Sequence, residues 1–342
     1  MASISDRPQQ KLTGWVSQLY GQQLESKPRT SPDQIPTSRA FFSIGNFPRL
    51  LEDLPEGVTQ TNDIVLWHRD GYDVTADVYA PEADGTFPTI VWFHGGSWSL
   101  MTKEFLRKLG MQWAAQGFVV LSVDYGLAPE FPFPHAPEDA IYALRWATKH
   151  IADHKGRPDH FFVGGDSAGA NLTAAAILTL NDTTGALFDG FDQGDLADTP
   201  VSFAGALLFC GVFDFPLLFA KPGGLAATGF IETTWNLAYL GPNFVNLHRD
   251  PRVSAAYAPN LDSFPPSYLN VGIEDSLLPQ SLSFTQVLAD HGVDATLSVV
   301  GGADHEFLLM PDVVPEASAE FDRTVDWLHR HTVTEQSTGA AH

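Results

Sequence analysis

Phe161-Phe162-Val163-Gly164-Gly165-Asp166-Ser167-Ala168-Gly169-Ala170-Asn171-Leu172 is the stretch whose reading decides the fold. The apolar run Phe161 to Gly164 has strand character, and the alanine-rich run Ala168 to Leu180 has helix character, so a G-x-S-x-G pattern sits between a strand and a helix. Glycines at 165 and 169 remove side chains where the two elements must approach closely, which permits a sharp turn with the Ser167 hydroxyl exposed in strained backbone geometry. Unpaired amides and the dipole at the start of the helix favour negative charge developing there. The pattern reads as a nucleophilic serine. A helix-capping serine after a glycine turn is the plainer alternative.

Outward from this turn, short apolar runs alternate with amphipathic stretches from about Phe87 to about Arg330, the pattern of parallel strands joined by crossover helices in an α/β fold. Strands are expected at Thr89–Phe93, Phe118–Val123, Phe161–Gly164, Gly205–Phe209, Tyr268–Val271 and Ala295–Val300. Helices are expected at Lys103–Gln116, Pro137–His150, Ala168–Leu180, Pro279–His291 and Ala317–His329. Asp63–Trp67 and Val74–Tyr79, separated by Asp70-Gly71, read as an antiparallel hairpin. Residues 1–60 mix short helices (Gln9–Gln22, Leu50–Leu54) with Pro-rich connections, and about 211–260 breaks the alternation with Pro, Gly and aromatic residues. Both suit a cap over a catalytic body at 61–331, with a frayed polar tail at 332–342.

Serine is barely nucleophilic at neutral pH and needs a base. Of twelve histidines, His305 lies directly after the last strand on the Gly-rich loop Gly301-Gly302-Ala303-Asp304-His305, able to reach back over the sheet edge. Asp275 follows the strand Tyr268–Val271, so the chain order is Ser, Asp, His, and its carboxylate would orient the imidazole. Glu274 is a rival for that role. His94-Gly95-Gly96-Ser97-Trp98 ends the strand Thr89–Phe93, where backbone N–H groups of Gly95 and Gly96, with Ala168, would face a tetrahedral oxyanion. Each such donor is worth roughly 3 kcal/mol in the transition state. His94 reads as a brace for the loop.

Composition narrows the classes. Against a net charge of −22, clustered Lys and Arg are absent, which excludes nucleic acid and anionic membrane as partners. One cysteine, Cys210, excludes an intramolecular disulfide and any Cys-based zinc cluster, and its apolar context reads as core packing. No metal or cofactor motif is present. The polar start Met1 to Gln10 carries no basic-then-apolar leader, giving a cytoplasmic expectation.

As a set, these residues resemble the hormone-sensitive-lipase family of carboxylesterases, in the branch with the Gly-Asp-Ser-Ala-Gly elbow, over roughly residues 60 to 330. The likeness also rests on Asp124-Tyr125, Leu127-Ala128-Pro129-Glu130, Phe133-Pro134, Glu138-Asp139, Asn171, Asp250-Pro251, Ser254, Pro265-Pro266, Gly272 and Phe307. The resemblance implies the α/β-hydrolase fold: a mostly parallel sheet flanked by helices, capped by the N-terminus and by an insertion after the sixth strand. It also implies cofactor-free hydrolysis of short to medium acyl esters, often by a homodimer. Four positions depart from the family pattern: Ser97 for the third glycine of the oxyanion loop, Gly126 for the usual Arg, Pro279 for the second Asp of the acid motif, and Glu306 for Gly after the histidine. Losing the arginine removes a brace beside the active-site loop, and Glu306 sets a negative charge beside the base. Most of the aromatics at 41, 42, 47, 213, 215, 219, 230 and 235 read as cap core, while Trp98, Phe213 and Phe215 are candidates for lining the ester pocket. The same triad would also serve an acyltransferase, lactonase or amide hydrolase. A receptor-like binding protein, as in the plant gibberellin receptors, lacks the histidine retained here.

Overall fold

Alternate residues along β3 (Phe87–Phe93) enter different cores: Ile90 and Trp92 pack on one side of the sheet, Val91 and Phe93 on the other. A strand covered on both faces reads as a continuous apolar run, which is why its position was legible. The computed structural model describes residues 39, 53–69, 71–185, 187, 190–219, 238–241, 244–309 and 314–332. β3 belongs to an eight-stranded sheet with β1 (Val58–Arg69), β2 (Tyr72–Pro81), β4 (Val119–Asp124), β5 (Gly156–Asp166), β6 (Phe203–Phe209), β7 (Ser267–Gly272) and β8 (Ala295–Val300). The order is β1-β2-β4-β3-β5-β6-β7-β8. β1 and β2 pair antiparallel, as do β2 and β4, and every later pairing is parallel.

The expected hairpin forms, but its ladder runs from Val58↔Pro81 to Arg69↔Tyr72, so the expected boundary at residue 60 falls inside β1. β5 starts at Gly156, five residues before the apolar signal at Phe161: Gly156 pairs with Phe87 across a register break, and the Gly156-Arg157-Pro158-Asp159 stretch carries no hydrophobic pattern. Helices α1 (Arg107–Ala115) and α5 (Pro315–Thr332) cover one face, with Trp113 and Trp327 joining Trp92, Phe162 and Phe209 in its core. On the opposite face lie α2 (His135–His150), α3 (Ala168–Leu180) and α4 (Leu278–Asp290). α3 is buried from Ala168 through Leu178, and its small side chains let it lie close against the sheet. The expected helix Gln9–Gln22, most of Leu50–Leu54 and the tail from 333 lie outside the described residues, as does 220–237 of the insertion. No helix among the described residues is long and apolar enough to cross a membrane.

The hairpin is locked to α2 by a buried ion cluster. Arg69 donates to Asp139 at 2.7 Å and to Glu138 at 2.6 Å, while Asp139 also accepts from Tyr72 Oη and from the Gly126 N–H. A side chain at 126 would run into the Tyr72 ring, 2.7 Å from its Cζ. The brace expected to be lost with the Gly126 departure is therefore supplied from β1 by Arg69, and Tyr72 occupies the space. Asp139 is fully buried, so removing its cation strands a charge in low dielectric. Arg69→Leu should destabilise the fold by about 3 kcal/mol, read from the midpoint of urea unfolding.

Candidate active site

The elbow is set by two close approaches. A Cβ on Gly169 would collide with Phe93 O at the end of β3, and one on Gly165 with the Gly169 backbone, so α3 can start directly over the strand ends only with glycine at both positions. Ser167 between them has φ 52° and ψ −113°, the strained conformation expected of a nucleophile elbow. Its N–H is anchored to Phe209 O at 2.8 Å, and its C=O accepts from Asn171 N at 3.3 Å. The Asn171 side chain fixes the same helix, donating to Val212 O and Val253 O.

Asp275 and His305 meet although thirty residues separate them. The loop after β8 turns at Gly302 (φ 74°) and packs on the end of β7, where Glu274 N donates to Ala303 O at 3.0 Å. This brings His305 Nδ1 within 2.8 Å of Asp275 Oδ2. The other Asp275 oxygen accepts the Leu277 N–H at 2.7 Å, which holds the carboxylate in orientation. Glu274, the rival, is exposed, whereas Asp275 is buried. Ser167 stands on the same sheet edge, yet no hydrogen bond within 3.5 Å joins its Oγ to His305 among the described residues. Such bonds are often loose in ligand-free sites and tighten around substrate.

The oxyanion loop differs from expectation in one donor. The Gly95 N–H is already committed to Asp166 Oδ2 at 2.9 Å, so it cannot face an incoming oxygen. Asp166 Oδ1 takes the Trp92 indole N–H at 3.0 Å, and burial pushes this carboxyl above the usual range. The N–H groups of Gly96, Ser97 and Ala168 have no acceptor among the described residues. Gly96 (φ 100°) and Ser97 (φ 52°) make the turn that presents them. His94 braces the loop as expected. Its ring stacks on Tyr125 at 4.4 Å, its Nδ1 lies 2.7 Å from Gly95 O, and Tyr125 Oη donates to His94 O. Arg39 adds a tie that sequence reading missed, donating to Ser99 O and Ala128 O and to both oxygens of Glu130. Nothing in the local sequence around Arg39 signals that contact, which spans some sixty to ninety residues.

Two further groups crowd the imidazole. Glu306 (φ 56°) places Oε1 at 3.7 Å from His305 Nε2, the atom that would take the serine proton. Cys210, expected as core filler, is buried at the end of β6 with φ 40°, and its sulfur, a His305 nitrogen and an Asp275 oxygen all lie within 4.8 Å of one another. Burial by itself would push the His305 imidazole down, but the Asp275 carboxylate bonded to Nδ1 holds it above its ordinary range. Burial pushes the Cys210 thiol up to about 11, so near neutral pH the sulfur keeps its proton.

The expected pocket aromatics are all buried. Phe213 stacks on Phe284 of α4 at 4.3 Å and is fully covered. Trp98 stacks on Tyr239 at 4.5 Å and lies 5.6 Å from Phe215, forming a wall beside the oxyanion loop. The aromatics at 41, 42, 47, 230 and 235 lie outside the described residues. Pro279 is exposed in the first turn of α4, a position that suits proline.

Residues 90–309 match the profile of the alpha/beta hydrolase fold, well over half of the chain and spanning every element of this site except Arg39. The chain belongs to the α/β-hydrolase family. This hydrolase is similar to the carboxylic ester hydrolase LipN of Mycobacterium tuberculosis, 31% identical over 267 residues, covering 76% of this chain and 67% of that protein. It is also similar to the carboxylesterase NlhH of the same species, 29% identical over 282 residues, covering 76% of this chain and 80% of that one. Among solved structures, a hyperthermophilic esterase from Pyrobaculum calidifontis superposes with TM-score 0.71 at 22% identity over 93% of this chain and 98% of that one, a likeness of fold. The hydrolase falls with the hormone-sensitive-lipase type that its motifs resemble.

A base must be neutral to accept a serine proton, so with His305 in that role its raised pKa would place the acid limb of kcat/KM above the ~6.5 of free imidazole. Glu306→Gln removes a charge that favours the imidazolium and should move that limb to lower pH. A pH–rate profile on p-nitrophenyl acetate reads it, and an unmoved limb would leave Asp275 as the only carboxylate that matters to the base.

Proposed function

We propose that this chain is a serine carboxylesterase in which Ser167 is the nucleophile, His305 the general base and Asp275 the orienting carboxylate. The observation that carries the reading is the pairing of a strained serine at a strand-to-helix elbow with a buried carboxylate–imidazole bond of 2.8 Å on the same sheet edge. Family membership and ester-hydrolase relatives point the same way.

In this reading Ser167 Oγ attacks the ester carbonyl as His305 Nε2 takes its proton, and the carbonyl oxygen draws charge onto the N–H groups of Gly96, Ser97 and Ala168. Gly95, engaged by Asp166, holds the loop rather than the oxyanion. Collapse breaks the acyl–oxygen bond, the imidazolium protonates the leaving alcohol, and water then repeats the sequence to free the acid. No cofactor enters these steps. Small-molecule esters with short to medium acyl groups are the substrates that the family resemblance implies, and the ester-hydrolase relatives support the reading. A cytoplasmic setting fits a chain with one cysteine. A homodimer through the open β8 edge, where Val299 and Ile273 are exposed, belongs to the same reading.

Ser167→Ala should lower p-nitrophenyl ester hydrolysis by at least ~10³-fold with an unchanged unfolding curve, and a fluorophosphonate should label the wild type at Ser167 alone. Asp275→Asn should cost roughly 10⁴ in kcat. Glu274→Gln should stay near wild type, and the reverse result would overturn the acid assignment. A panel varying acyl length and alcohol size, with and without an added alcohol acceptor, separates hydrolysis from acyl transfer.

A further inference from the structure

Three ligating groups of different chemistry converge behind the elbow. Cys210 offers a sulfur, His305 a ring nitrogen and Asp275 a carboxylate oxygen, all within 4.8 Å of one another. A tetrahedral zinc ion with bonds of about 2.3 Å to sulfur and about 2.0 Å to nitrogen and oxygen sets its ligands roughly 3.3 to 3.6 Å apart, so the sulfur would close by about 1 Å while the 2.8 Å contact between His305 Nδ1 and Asp275 opens. Asp275 and Cys210 are held from both sides by the β6 and β7 ends: Leu277 N donates to Asp275, and Cys210 N donates to Asn270 O at 2.8 Å. The His305 side chain is 35% exposed, which leaves an approach for an ion from solvent.

Beside this triplet, Cys210 also borders a small cavity with Asp166, Phe209, Asn270, Glu306, Phe307, Leu308 and Leu309. Asn270 is buried, and its Nδ2 has no hydrogen-bond partner among the described residues. An amide donor left without an acceptor inside the fold is costly. Asp166 and Glu306 add negative charge on the same side, which draws a cation in.

We propose that Cys210, Asp275 and His305 form a binding site for a thiophilic divalent cation such as Zn²⁺, with water in the fourth position, and that occupancy withdraws His305 from acyl transfer and switches the esterase off. Binding forms a metal–sulfur bond and releases the thiol proton to solvent, with no electron transferred. The inhibitory half rests on the assignment of His305 as the base. The binding half stands on the cluster alone.

Co²⁺ titration of the full-length protein tests the two halves separately. Cys210 is the only cysteine, so a near-ultraviolet thiolate-to-cobalt absorption can arise only there. The wild type and Ser167→Ala should both show the band, and Zn²⁺ should abolish it in step with loss of wild-type hydrolysis. Cys210→Ser should lose the band and need at least tenfold more Zn²⁺ for half-inhibition of its own rate. Asp275→Asn should keep the band with at least tenfold weaker Co²⁺ affinity, a check that holds if the serine variant fails to fold. No band in the wild type, or unchanged Zn²⁺ sensitivity in Cys210→Ser, overturns the site. A saturating band with hydrolysis undiminished overturns the inhibitory half, while the site stands and the base assignment is left to the Ser167 and Asp275 variants.

Discussion

A helix starting directly on top of two strand ends is the constraint from which the rest of the site follows. α3 reaches the ends of β3 and β5 only because Gly165 and Gly169 present no side chain to Phe93 O and to each other. That contact forces Ser167 into φ 52° and aims the helix's first amides at the space above the sheet. Parallel pairing then does the assembling. Because β5 through β8 run in one direction in adjacent order, the loops after β5, β6, β7 and β8 emerge on one edge, bringing Ser167, Cys210, Asp275 and His305 together.

The charge distribution at that edge is unusual for its density of buried acids. Asp166, Asp275 and Glu306 sit around a single imidazole, and only hydrogen-bond donors keep so many carboxylates tolerable. Asp166 is held by the Trp92 indole and the Gly95 N–H, and Asp275 by Leu277 N and His305. The carboxylate in the middle of the elbow motif therefore has a structural task. It ties the oxyanion loop to the nucleophile's own strand, so the two halves of the site cannot drift independently. His94 stacked on Tyr125 and Arg39 bonded to Ser99 O fix the far side of the same loop.

Much of this was legible from side-chain pattern. β3, β4, β6 and β7 appear as apolar runs because both sheet faces are buried there, and Ser167, Asp275 and His305 follow strand ends in chain order. What stayed hidden shares one cause, in that each contact joins residues distant in sequence through geometry that no local window encodes. Gly95 looks like a free donor until Asp166, seventy-one residues away, is seen to occupy it. The brace expected at position 126 comes instead from Arg69 on the hairpin. The stacking of Phe213 on Phe284 is not readable from its place in the insertion. Cys210 reads as filler, and only the side-by-side pairing of β6, β7 and β8 sets its sulfur beside His305 on the loop that follows β8.

By itself the sequence determined the α/β class, the position of the nucleophile elbow and the order of serine, acid and histidine, because hydrophobic period, glycine placement and strand-end position are local properties. Tertiary structure alone decided which backbone amides keep no internal acceptor, which carboxylate bonds the His305 imidazole, and what else touches that ring. Those depend on through-space distances of about 3 to 5 Å, and in a sheet whose neighbours are not neighbours in sequence such distances are fixed only when the strands have paired.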